Sequence, residues 1–226
     1  MRKISSAVFT AIFASSVVAD SVTIQYSLVY SGTQSPIGVN PWLTATLADM
    51  SVGGEDAVLL TLDASGLSNQ EFASSFFFNF RESIDPGTVQ ISEVSRQNFT
   101  GQPTFSLASQ NSQIAGGGYL FDLKVALPFP VNARFGSGSV YSVRLERAGG
   151  LNIYDLLVET VSQGYGGAVS VVHVQSLSDG SSAWISPGST VPPGIGGAEV
   201  PEPSTWAAGV AMAGLVVFPL WRRRRS

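Results

Sequence analysis

His173 is the chain's one histidine, and it stands within Val169–Gln175 (VSVVHVQ). If this segment is a strand, Val169, Val171, His173 and Gln175 share one face. An imidazole in that position has two chemical uses, as a general base or as a metal ligand. A metal needs further ligands, and the chain has no other histidine and no cysteine to supply them. A serine triad needs an acid and a nucleophile brought to the ring by the fold, which spacing along the chain does not provide. The alternative is a structural histidine hydrogen-bonded inside a sheet. No metal and no cofactor are expected.

The carboxylates Glu55, Asp56, Asp63, Glu82, Asp85 and Asp122 are the next candidates. Glycoside hydrolysis asks for two of them about 5 or about 6.5–9.5 Å apart, a distance that only a fold can set. A calcium loop asks for oxygen ligands at alternate positions around a glycine, and no D-x-D-x-D run is present. Gly116-Gly117-Gly118 is followed by no Lys-Ser/Thr and no helical pattern, so it reads as a turn and not as a phosphate cradle. Asn98-Phe99-Thr100 fits the N-glycosylation pattern. Aromatic rings offer a third chemistry, stacking against sugars. Trp42, Tyr119, Tyr141, Tyr154, Tyr165 and Trp184 are the possible platforms. Trp42 is expected in the core, whereas Tyr165 and Trp184 lie beside glycine-rich turns and are expected at the surface. His173, Trp184 and Tyr165 are therefore the candidate ligand-binding residues.

The elements that must position these residues read as β-strands. Thr23–Tyr30 alternates, with Ile24, Tyr26 and Leu28 on one face; Trp42–Leu47 alternates again; Ala57–Leu62 (AVLLTL) is a short central strand; and Ser75–Phe80 puts Phe76, Phe78 and Phe80 on one side. Thr88–Val94, Tyr119–Leu127, Ser139–Leu145 and Val169–Gln175 complete the set. About eight strands between Gly, Pro, Ser and Asn clusters, with no long helical period, predict an all-β domain. A single β-sandwich of jelly-roll or Ig-like layering is expected over residues 20–185, with barrel closure as the alternative. Two capping patterns follow strands: Ser68 with Glu71, stapled by Leu67 and Phe72, and Asn152 with Asp155, stapled by Leu151 and Leu156. They suggest a repeated strand–turn–strand unit, or a coincidence of short patterns.

Both ends of the chain carry targeting features. Arg2 and Lys3 precede a mostly apolar run, Ile4–Val18, and Val17-Val18-Ala19 before Asp20 is a small-residue cleavage site, so residues 1–19 read as a signal peptide cut between Ala19 and Asp20. At the other end, residues 186–200 hold seven Gly or Pro in fifteen and read as a linker. Pro201-Glu202-Pro203 then leads into an uncharged run, Ser204–Trp221, which ends at Arg222, Arg223, Arg224 and Arg225. As a helix the run would span about 27 Å against a hydrocarbon core of about 30 Å. Trp206 and Trp221 near its ends and the arginines behind it fit a membrane span with a cytoplasmic stop.

This tripartite order resembles the PEP-CTERM sorting signal of exported bacterial proteins. The resemblance implies processing by an exosortase, a membrane-embedded transpeptidase, with Pro201, Glu202 and Pro203 as the recognition element over residues 201–226. It also implies an association with exopolysaccharide. Each proline fixes its own φ and biases its predecessor toward extended geometry, so the triplet suits presentation to a protease groove. In the body, Leu67–Phe80 (LSNQEFASSFFFNF), Arg134–Val140 (RFGSGSV) and Gly166–Ile185 (GGAVSVVHVQSLSDGSSAWI) resemble segments of a group of PEP-CTERM proteins. In that group His-Val-Gln is followed by a glycine-rich turn and Gly-Trp-Ile; here Ala183 stands in the glycine's place.

Charge and cysteine usage narrow the function classes. Six of the twelve basic residues lie in the terminal segments, leaving six against sixteen acids, a net charge of about −10 for the exported portion. That balance excludes a nucleic-acid surface. The absence of cysteine removes disulfides, thiolate metal sites and a lipobox, so the core must hold by burial. The expectation is an exported, non-enzymatic structural or adhesive component of the envelope or matrix. Its expected partners are exosortase, transiently the inner membrane, and matrix polysaccharide. A carbohydrate-binding module and a secreted hydrolase are the alternatives.

Overall fold

Alternation of apolar and polar side chains carries through to the structure, a computed structural model that describes residues 19–108, 113–115, 119–160 and 167–187. The chain divides into Met1–Gly188 and Ser189–Ser226, and every described residue belongs to the first unit. Among the described residues no helix is long and apolar enough to cross a membrane. The expected span Ser204–Trp221, the sorting triplet Pro201–Pro203 and the arginines Arg222–Arg225 lie outside them, as does Tyr165.

The described body is all-β. Its strands are β1 (Ser21–Ser31), β2 (Leu43–Val52), β3 (Glu55–Asp63), β4 (Phe72–Phe78), β5 (Gln90–Gln97), β6 (Thr104–Leu107), β7 (Gln113–Ile114), β8 (Leu120–Phe121), β9 (Leu123–Ala126), β10 (Phe135–Gly136), β11 (Val140–Glu146), β12 (Ser170–Gln175) and β13 (Ser182–Pro187). One sheet runs in the order β5-β11-β3-β2-β1-β13-β12-β4-β9-β6, with β10 also on β4, and β7 pairs with β8 apart from it. The two edge strands, β5 and β6, are consecutive in the chain and joined by residues 98–103 only. The sheet is therefore rolled until it nearly closes. Phe105 on β6 bridges the seam by stacking on Tyr141 of β11 at 6.4 Å, and Arg96 on β5 holds the connection by donating to the Gly101 carbonyl at 2.6 Å.

One core fills the roll. Leu43, Ala45 and Leu47 of β2, Val58, Leu60 and Leu62 of β3, and Phe76 and Phe78 of β4 all pack into it. The β2–β3 hairpin turns on Gly53 and Gly54, whose φ values of 62° and 93° suit the left-handed turn that matches strand twist. Buried Tyr26 bonds to the Ser170 hydroxyl at 2.5 Å, and that hydroxyl donates to the Phe77 carbonyl at 2.7 Å, so the phenol enters the core with a partner.

Three departures from the sequence reading have local causes. Leu28 should share the inner face of Ile24 and Tyr26, yet it is 52% exposed, because a register shift in the β1–β13 ladder between Tyr26 and Leu28 turns it outward. The strand expected over Ser75–Phe80 begins at Phe72 and stops at Phe78; the Phe80 amide donates to the buried Asp122 carboxylate at 3.1 Å instead of continuing the ladder. β13 coincides with no strand that the sequence predicts, and it overruns the domain end expected at Ile185 into the expected linker. It takes in Ser186 and Pro187, which pair with Leu28 and Tyr26, and a proline is tolerated at the strand's last position.

Candidate functional site

His173 sits on β12 with its ring on the outer surface of the rolled sheet, and a β-bulge arranges its partners. Between His173 and Val174 the β4–β12 register shifts, so that Ser74 and Ser75 together oppose one residue. The extra residue turns both serines to the outer side, while Ala73 and Phe76 stay in the core. The Ser74 hydroxyl lies 2.9 Å from His173 Nδ1 and donates to the His173 carbonyl at 3.2 Å. Trp184, across the β12–β13 ladder, stacks on the imidazole at 4.4 Å and 17°. Burial first, and the Lys124 charge second, hold the His173 pKa below its usual value, so the ring is neutral at pH 7.

Trp184 is half-buried rather than open. It packs with Tyr30 against a second, smaller core outside the sheet, made by Phe77, Tyr119, Phe121 and Val171, and it lies 5.7 Å from the Phe77 ring. Of the other aromatics proposed for stacking, Trp42, Tyr119 and Tyr141 are buried, and Tyr154 is exposed. The carboxylates are dispersed into structural tasks. Asp63 accepts from Ser65, Asp85 from the Gly87 amide, and Asp122 from Phe80. Glu55 and Asp56 border a shallow recess beside Arg147. Among the described residues no group of three His, Cys, Asp or Glu could hold a metal ion.

A cleft of about 420 Å³ opens where β3 ends and β11 begins, lined by none of the residues that the sequence offers as ligand-binding candidates. Four parts of the chain meet there: the β3–β4 connection brings Asn69 and Gln70, with Phe72 at the start of β4; the β5–β6 connection brings Asn98; the stretch around β10 brings Val131, Arg134, Ser137 and Ser139; and Ser176 follows β12. Phe72 is buried, with the Arg134 guanidinium over its ring at 4.2 Å and the exposed Phe129 ring edge-on at 6.1 Å. Arg134 Nε donates to the Phe129 carbonyl at 2.8 Å, which fixes the guanidinium plane. Glu71 lines the cleft but is spent on the backbone, accepting from the Ile37 amide at 2.7 Å and the Ser68 amide at 2.9 Å.

Asn98 and Ser176, both at this cleft, are the two non-glycine residues with positive φ among the described residues, at 60° and 57°. The left-handed conformation costs about 1–2 kcal/mol for a residue with a Cβ, less for Asn. The apparent glycosylation site is part of the same construction: Asn98 Nδ2 donates to the Gly138 carbonyl at 2.7 Å, and Thr100 to the Asn132 carbonyl at 2.9 Å. One signal was available in the sequence. The three body segments singled out for their resemblance, Leu67–Phe80, Arg134–Val140 and Gly166–Ile185, contain β4, β10 and β12, and they converge on this cleft.

The fold and site thus define an all-β protein with a nearly closed sheet, an outer histidine–tryptophan stack and an open polar cleft. Comparison with protein-family models, curated proteins and solved structures finds no match for the chain.

Proposed function

We propose that this chain is an exported bacterial protein, sorted by exosortase through Pro201-Glu202-Pro203, whose β domain serves without catalysis as a structural or adhesive component of the envelope or extracellular matrix. The observation that carries the reading is the order of the C-terminal parts: triplet, uncharged run, arginine cluster, set opposite an N-terminal signal with cleavage between Ala19 and Asp20. In this reading the chain crosses the inner membrane, is held there briefly by residues 204–221, and leaves for the outer envelope or medium. The rolled sheet is read as a flattened, sandwich-like layering of jelly-roll or Ig-like type.

Intact-mass analysis of the exported protein tests the route. A new N-terminus at Asp20 and a new C-terminus near Pro201–Pro203 are expected. Recovery of full-length protein with Arg222–Arg225 still attached, from a strain that has exosortase, overturns it. The second reading, a carbohydrate-binding module, is favoured by the amide- and hydroxyl-lined cleft. His173 contributes less to a hydrolase reading, because its nearest hydroxyl, Ser74, is buried.

A further inference from the structure

We infer that the cleft between Asn98 and Arg134 is a saccharide-binding site that takes a uronate-bearing sugar, with the Arg134 guanidinium on the carboxylate. The inference rests on the reading of the body as a binding domain but not on the export route. Its first support is the character of the lining. Asn69, Gln70 and Asn98 are exposed planar amides, and Ser137 and Ser176 add hydroxyls. Such groups match the paired donors and acceptors of vicinal sugar hydroxyls. Asn98 Nδ2 is already engaged with Gly138, which holds the amide in place and leaves Oδ1 to accept.

The second support is the single, oriented cation. Arg134 is clamped between the Phe72 ring and the Phe129 carbonyl through Nε, and its Nη1 and Nη2 have no protein partner among the described residues. A guanidinium held this way presents the fork that pairs bidentately with a carboxylate. The Glu71 carboxylate does not compete for it by a bond, being bonded to two backbone amides. Phe129, 55% exposed, and Val131, 74% exposed, give the rim an apolar face for the C–H side of a sugar ring.

Other ligand classes fit less well. A polyphosphate or nucleic acid calls for several cations, and the cleft has one. An apolar ligand would leave the amides and hydroxyls unpaired. An added peptide strand needs a run of open backbone groups along a sheet edge, whereas the cleft presents chiefly side-chain groups.

The test uses the full-length chain in a detergent without a sugar headgroup, applied to an array of neutral and uronate-containing oligosaccharides and followed by titration calorimetry on the hits. Binding is expected to at least one uronate-containing glycan, with Arg134→Met and Asn98→Gly each weakening it by about tenfold or more. Asn98→Gly keeps the positive φ without strain, so it remains informative if Arg134→Met fails to fold. Gln90→Ala, in the recess at the other end of β3, should leave binding unchanged. An array with no binding, binding that survives both cleft variants, or binding equally displaced by inorganic sulfate overturns the inference. Correct C-terminal processing without glycan binding would overturn the cleft alone; glycan binding with an unprocessed tail would overturn the sorting reading alone.

Discussion

His173 shows how far a single residue can be read. Its strand and its face follow from the alternation in VSVVHVQ, and the structure puts it on β12 beside Trp184 as that parity requires. Ser74 was not legible, because a bulge changes which residues of β4 face outward and leaves no mark in composition. The ring's environment has a pH consequence. Its folded pKa is depressed, so between that value and the unfolded value of about 6.5 the unfolded chain binds the proton more readily. The stability it contributes is complete above about pH 6.5 and is lost as pH falls below it. Calorimetry from pH 8 to 5 should show the thermal midpoint of the native protein dropping over the acid part of that range. A His173→Gln variant should drop less, and an identical slope in the variant would sink the assignment. Trp184→Ala should destabilise the domain by about 2 kcal/mol in urea titration, since a half-buried ring that packs on Phe77 and His173 is removed. A loss below about 0.5 kcal/mol would mean that the ring is a free surface group.

Among the elements, the two capping patterns, which suggest either a repeated unit or a coincidence, form differently in the structure. Asn152 caps a 3-10 turn over Ile153–Asp155 in both directions: its side chain accepts from the Tyr154 amide at 3.0 Å, and Asp155 reaches back to the Asn152 amide at 3.0 Å. At the other position only half of the motif forms. Glu71 accepts from the Ser68 amide and turns its second oxygen to Ile37, and no helical turn follows. The identical spacing hides the difference because the decisive partner, Ile37, is distant in sequence. Asn152→Ala should therefore cost about 1 kcal/mol, and Ser68→Ala less than about 0.5 kcal/mol, in equilibrium denaturation. Equal costs would restore the repeated unit. The short strands β6 and β10 escaped sequence reading for a related reason: four and two residues are too few to display a period.

For the molecule as a whole, the consequence of interest is sheet continuity. β13 lies between β1 and β12 and is the last strand among the described residues, so it joins the first strand of the chain to the one just before itself. A chain ended after Ser181 loses both ladders, one on each side, and should show no cooperative unfolding transition. A chain ended after Gly188 should keep one. A cooperative transition in the shorter chain would mean that the roll does not depend on β13. The acidity of residues 20–202, a net charge of about −10, is also a property at this scale. It makes the lone arginine in the cleft a local exception to the field around it, which raises its value for choosing among ligands.

Sequence alone set the all-β class: no cysteine, strand periods in the body, and glycine and proline between them. These are local or compositional properties, and each is written in adjacent residues. Which serine meets His173 and where a ligand could sit were decided by tertiary structure alone. The cleft draws Gln70, Asn98, Arg134 and Ser176 from four separate connections, and only the rolling of one sheet brings their ends together. Long-range register sets such a site, and no short stretch of sequence encodes it.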